Sequence, residues 1–159
     1  MAAVIQYYLT GGVGNSNPDD SLGGDTSSTE VSSTALNNLF DNVLPTDIDV
    51  SNYVTYRAIA IKNTGDALAK HVEFFFTDTT NSESIVAVWY DSTGTQTIAD
   101  DETEPVGASG NWTTPLIGSK LAFSNLAAGA EYRIWIRRTV DQDATNLNDD
   151  LATLHTWAS

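Results

Sequence analysis

The stretch Leu126 to Val140, Leu-Ala-Ala-Gly-Ala-Glu-Tyr-Arg-Ile-Trp-Ile-Arg-Arg-Thr-Val, constrains the chain more than any other. From Tyr132 onward it alternates. Tyr132, Ile134 and Ile136 fall on one face of a period-2 element, and Arg133, Trp135 and Arg137 fall on the other. That pattern predicts a half-buried β-strand. Trp135 on the second face adds an expectation of its own, because a large apolar residue opposite the core face calls for a second contact, in the core or, as the favoured reading, at a subunit or partner interface beside the guanidinium groups of Arg137 and Arg138.

The rest of the chain reads as short strands separated by turn chemistry. Val4–Leu9 is a compact apolar and aromatic run that predicts a strand, with Ile5, Tyr7 and Tyr8 as candidate contact residues. Behind it, glycine, serine, threonine and aspartate dominate through Ser33, too polar to form a core, so residues 1–33 are expected to be a strand that pairs with a neighbour's sheet plus an extended polar segment, either an arm laid on that neighbour or simply a loop. Residues 34–159 are then the main domain. Apolar residues at 39, 40, 43 and 44 predict one short helix over Asn37–Leu44, ended by Pro45. Tyr53–Lys62 alternates, with Tyr56, Ala58 and Ala60 opposite Arg57, Ile59 and Ile61, and Asn63-Thr64-Gly65-Asp66 closes it as a turn. His71–Thr77, Ile85–Tyr90, Lys120–Phe123 and Leu151–Trp157 are further strands, and Asp100–Pro115 is a long loop holding Trp112, a candidate partner or ligand residue. About seven strands with one short helix make an all-β antiparallel sandwich the economical fold.

At 159 residues the chain can bury one sizeable core without staples, and it has no cysteine to make a disulfide, a thiolate nucleophile or a cysteine metal site. Its formal net charge is −14, and no Lys or Arg precedes Arg57. Such a surface repels nucleic acid and anionic lipid, and favours solubility or docking on a basic partner. The amino terminus, Met1-Ala-Ala-Val-Ile, lacks a secretory pattern, and the apolar runs are too short to span a bilayer, so neither membrane nor nucleic acid is an expected partner.

No motif carries catalysis. His71 and His155 each lie within a strand and outside any metal-ligand spacing; Gly107-Ala108-Ser109-Gly110 lacks the spacing of a nucleophile elbow. Gly12-Val13-Gly14 lacks the third glycine and the helix of a dinucleotide site, and Asp47-Ile48-Asp49 lacks the glycine and glutamate of a calcium loop. Asp100, Asp101 and Glu102 read as a solvated acidic loop rather than a calcium site. The expectation is a protein without enzymatic activity, cofactor or metal. Exposed Trp112 or Trp135 stacking on sugar rings is the competing reading, a carbohydrate-binding module.

Two resemblances add to this. The spacing of Leu126, Gly129 and Tyr132 resembles fibronectin type III and other Ig-like domains, in which a tyrosine hydroxyl bonds back to the turn before its strand. Ile5-Gln6-Tyr7-Tyr8-Leu9-Thr10-Gly11-Gly12, Ser21-Leu22-Gly23-Gly24, Asn38-Leu39-Phe40-Asp41, Tyr56-Arg57, Lys62-Asn63-Thr64, Ile134-Trp135-Ile136-Arg137-Arg138-Thr139-Val140 and Asn148-Asp149-Asp150 together resemble small structural proteins of tailed-phage virions. That resemblance implies a capsid decoration or cement protein, made in the host cytoplasm and placed on the capsid exterior. It implies a homo-oligomer, commonly a trimer, bound to the assembled major capsid protein. A tail, baseplate or fibre component is the neighbouring possibility, since the same fold serves there.

Overall fold

The computed structural model describes residues 2–33, 38–77, 84–145 and 152–159. Among the described residues eight strands form two antiparallel sheets that pack as a sandwich. They are β1 (Ile5–Thr10), β2 (Thr26–Glu30), β3 (Tyr53–Asn63), β4 (Glu73–Thr77), β5 (Ser84–Asp91), β6 (Leu121–Ala122), β7 (Glu131–Val140) and β8 (Thr153–Trp157). The larger sheet runs β2-β1-β3-β7-β5 and the smaller β6-β4-β8. Among the described residues no helix is long and apolar enough to cross a membrane.

The alternation read from β3 and β7 is the alternation found. The two strands pair along their lengths, from Tyr53 opposite Val140 to Lys62 opposite Glu131. Ile59, Ile61, Ile134 and Ile136 face the smaller sheet, where they meet Val72, Phe74, Phe76 and Leu126 in one buried core. β5 adds Val86 and Val88 to that face. At the edge of this core the rings of Phe74, Tyr90 and Tyr132 each pack on Phe123, with centroids 4.8, 4.8 and 5.0 Å from it. Such ring contacts add about 0.5–1.5 kcal/mol each beyond the area they bury.

The turn before β7 is built as its spacing predicts. Gly129 takes φ +76°, the left-handed conformation that glycine adopts without a Cβ clash, and its N–H donates to the Asn63 carbonyl at 2.8 Å. The Tyr132 hydroxyl then reaches back to the carbonyl of Ser124 at 3.0 Å. Leu126 sits in the core and pairs through its main chain with Ala69, which ties the same corner to the segment entering β4.

Residues 113–116 join the two sheets along one side. Thr113 exchanges main-chain hydrogen bonds with Val88 of β5, at 2.7 and 3.0 Å, and two residues later the Pro115 carbonyl accepts the N–H of Phe76 of β4 at 2.8 Å. The polar loop expected over Asp100–Pro115 therefore ends as a seam, with main-chain groups of both sheets satisfied in it.

Three expectations are corrected. Val4–Leu9 does not pair with a neighbour: β1 lies between β2 and β3 of its own sheet, so both of its edges are taken. β2, Thr-Ser-Ser-Thr-Glu, lacks the apolar alternation that marks a strand, and hydroxyl side chains satisfied along an edge take its place. The expected helix does not form over Asn38–Leu44, Asn37 lying outside the described residues. Four apolar residues over two turns cannot offset helix nucleation. Leu39 and Phe40 instead pack against the core, Leu44 is exposed, and among the described residues the one helical element is a 3-10 turn at Pro18–Asp20.

Asp91, at the end of β5, organises the turn that follows. One carboxylate oxygen accepts the Thr93 N–H, the Thr93 hydroxyl and the Gly94 N–H at 2.9, 2.6 and 3.1 Å, and the other accepts the Gln96 N–H at 3.1 Å. Burial pushes its pKa up, but the hydrogen bonds from Thr93, Gln96 and Gly94 together hold it below the ordinary value of 3.8. A depressed carboxylate contributes stability above its unfolded pKa, about 3.9, and that contribution disappears as the pH falls through the lower folded value. Asp91→Asn turns an NH2 donor toward one of these N–H groups, and is expected to lose about 2 kcal/mol at neutral pH. Urea midpoints measured from neutral pH down to about pH 2 check this: the variant's acid limb is flatter than that of the parent.

Candidate interaction surfaces

The outer face of the larger sheet is covered by the chain's own loops. Trp135 is completely buried there, packed with Tyr56 and Ala58 and against Val54, Trp89, Ile98 and Trp112. The second contact anticipated for Trp135 is therefore internal, and this residue has no surface left for a subunit or a sugar. Its indole N–H has no hydrogen-bond partner among the described residues.

Arg137 and Arg138 leave the sheet on opposite faces. Arg137 lies over the Trp112 ring at 5.0 Å, and Trp112 is further fixed by Tyr56, 5.6 Å between centroids, and by donating its indole N–H to Glu104 at 2.6 Å. One face of Trp112 is thus filled by a guanidinium. Arg138 points to the inner face beyond the end of the core, lies over Phe40 at 4.8 Å and donates to the Asp41 carbonyl at 2.6 Å. Burial, and next the nearby charge of Arg57, lower its pKa.

Arg57 also lies over the Phe40 ring, at 5.6 Å. Its side chain is 3% exposed, and its guanidinium pairs with Asp101 at 2.7 Å and Asp19 at 3.3 Å. A hydrogen bond that the protonated Asp41 carboxyl would make to Asp19 raises its pKa, ahead of burial and the charge of Asp19. Asp101, one of the loop carboxylates weighed for calcium, is thereby engaged by an arginine. Asp100 accepts from the N–H of Glu102 and the hydroxyl of Thr103, so it shapes its own turn. Among the described residues no three histidine or carboxylate side chains converge on a point where a metal ion would sit.

The amino-terminal candidates are built into the fold. Ile5 and Tyr7 pack against the core, and the Tyr7 hydroxyl bonds the Thr156 hydroxyl of β8 across the sandwich. Tyr8 faces outward and meets Lys62, whose ammonium lies 6.0 Å from its ring centroid.

A surface that sequence reasoning passed over lies on the outer face of the smaller sheet. Phe75 of β4 stacks on His155 of β8, with centroids 5.1 Å apart and planes within 13°. The His155 Nε2 meets the Thr77 hydroxyl at 2.9 Å. Lys120 lies over both Phe75, at 5.8 Å, and Trp157, at 5.0 Å, while bonding Glu73 at 2.9 Å. With Ile117 these residues line an open depression of about 340 Å³, in which Trp157 is 51% and Ile117 70% exposed. The signal was present in the sequence. If Val72, Phe74 and Phe76 face inward, the same alternation turns Phe75 outward.

Compared with family models, with curated proteins and with solved structures, the chain matches none.

Proposed function

We propose that this chain is a non-enzymatic virion protein of a tailed phage that decorates the head, docking on the assembled major capsid protein and stabilising it. The sequence resemblance supplies the setting. The observation that carries docking is the distribution of charge. Of seven basic residues, Arg57 and Arg133 are buried, Arg137 is held on Trp112 and Arg138 on Phe40, leaving three lysines to offset an acidic surface on a chain of net charge −14. A field of that sign is screened little at short range and draws the protein onto cationic patches of a lattice, while keeping free copies soluble. A protein that binds only the assembled shell stabilises it by mass action.

Incubating the purified chain with intact particles and labelling with gold-conjugated antibody tests the reading. Gold distributed over heads is expected, with occupancy falling as salt is raised from about 0.05 to 0.5 M. Gold confined to one pole moves the protein to the tail or baseplate, and unlabelled particles at low salt overturn the assignment.

A further inference from the structure

The outer face of the smaller sheet is the part of this molecule least like the rest of it. Both histidines of the chain and two of its three lysines, Lys70 and Lys120, lie on or beside this sheet. Among the described carboxylate side chains, Glu73 is the one on its strands, and Lys120 neutralises it. Two copies that repel each other elsewhere through their acidic surfaces can approach here. The face also presents the apolar surface that a contact requires: Trp157 and Ile117 project beside Phe75. Contiguous exposed apolar surface with a charged rim marks an interaction site, and aromatic residues are the ones enriched at such centres.

We propose that this face binds the same face of a second copy about a two-fold axis, forming a dimer closed by Phe75, Trp157 and Ile117 and flanked by Glu73 and Lys120. The charge pair selects this occupant. A two-fold axis makes each patch meet itself inverted, so residue i contacts j and j contacts i. Glu73 and Lys120 are one acid and one base side by side, 2.9 Å apart, which is a self-complementary arrangement. Inverted on itself, the pair sets Lys120 of each copy near Glu73 of the other, giving four alternating charges around an apolar centre. A general acidic or basic partner would meet one attractive and one repulsive charge. Like-charge juxtaposition at an interface costs enough to reject a wrong partner.

This inference is independent of capsid docking, since it concerns the free protein. It is tested by sedimentation equilibrium on the full chain and on two single variants, Glu73→Lys and Lys120→Glu, with circular dichroism to check that each remains folded. The parent is expected to dimerise across a concentration series. Each single variant, presenting two like charges to its own copy, is expected to dissociate at least tenfold more readily. An equimolar mixture of the two variants is expected to recover dimers, because one patch is then doubly basic and the other doubly acidic. A purely internal role for the pair predicts no such recovery on mixing. Trp157→Glu, at an exposed position, is expected to give folded monomer. A parent that is monomeric at all concentrations, a trimer, or a mixture that stays monomeric overturns the proposal.

Discussion

Replacing Asn63 by alanine is expected to lower stability by about 3–5 kcal/mol, a large part of the 5–15 kcal/mol that holds a domain of this size together. Asn63 is fully buried at the end of β3 and uses its whole side chain. Its Oδ1 accepts the N–H groups of Val4 and Gly65, each at 3.2 Å, and its Nδ2 donates to the carbonyls of Ala67 and Leu126 at 2.7 and 3.0 Å. Its main chain adds the bonds to Gly129 and Ala130 that shape the corner before β7. One amide thus holds the start of β1, the turn leaving β3 and the tyrosine corner in fixed relation. Truncation leaves the N–H groups of Val4 and Gly65 and the carbonyl of Ala67 without that partner, while the Leu126 carbonyl keeps the Ala69 N–H, and each buried group so orphaned costs about 1–3 kcal/mol. Asn63→Asp keeps the shape but removes both donors, setting a carboxylate against the carbonyls of Ala67 and Leu126, and is expected to be no better tolerated. Urea unfolding checks both: the midpoint falls, while the slope, which follows the surface exposed on unfolding, stays near that of the parent. A loss below about 1 kcal/mol would show that the three segments are held by other contacts.

The contrast between Asn63 and β7 explains what the sequence could reveal. β7 was legible because its apolar residues recur with the period of a strand, and a period survives whatever packs on it. Tyr132 was legible because its partner lies within a few residues along the chain. Asn63 had the composition of a turn residue, and it does begin a turn, but its role rests on Val4 and Leu126, about sixty residues away on either side. Nothing local encodes such a meeting. Trp135 falls between these cases. Its position opposite the core face announced that something must cover it, whereas the cover is a polar loop that contributes only Ile98 and Trp112 as large apolar groups. The apolar demand was visible on the strand and the supply was not visible on the loop. β2 was hidden for a related reason, since an edge strand of serine and threonine is held by main-chain pairing and hydroxyl bonds that leave no hydrophobic pattern. The outward face of the smaller sheet could have been found by carrying the alternation of β4 one residue further.

The cover over Trp135 gives the second large effect. Gly23 bridges Thr97 in that loop and donates its N–H to the Thr10 hydroxyl at 3.0 Å, so it stands where the segment after β1 meets the segment after β5. Its φ is +91°, and a Cβ placed on it would lie 2.0 Å from the Gln96 carbonyl oxygen and 2.8 Å from Cζ2 of Trp135. Neither neighbour can yield cheaply, because one is main chain and the other is the largest fully buried side chain in the protein. Gly12 supplies the control. Its φ is similar, +107°, but a Cβ there meets nothing within 4 Å, so Gly12→Ala carries the backbone strain alone, about 1–2 kcal/mol. Gly23→Ala carries that strain and the displacement of the loop, and is expected to cost about 3 kcal/mol or more. The two effects separate spectroscopically as well as by unfolding midpoint. Moving the loop admits water to Trp135, so folded Gly23→Ala should show red-shifted tryptophan emission and greater quenching by acrylamide, while folded Gly12→Ala keeps the parent spectrum. Equal losses with unchanged emission in both variants would mean that Gly23 does not hold the loop against the indole, and that Trp135 owes its burial to Tyr56, Trp89 and Trp112 alone.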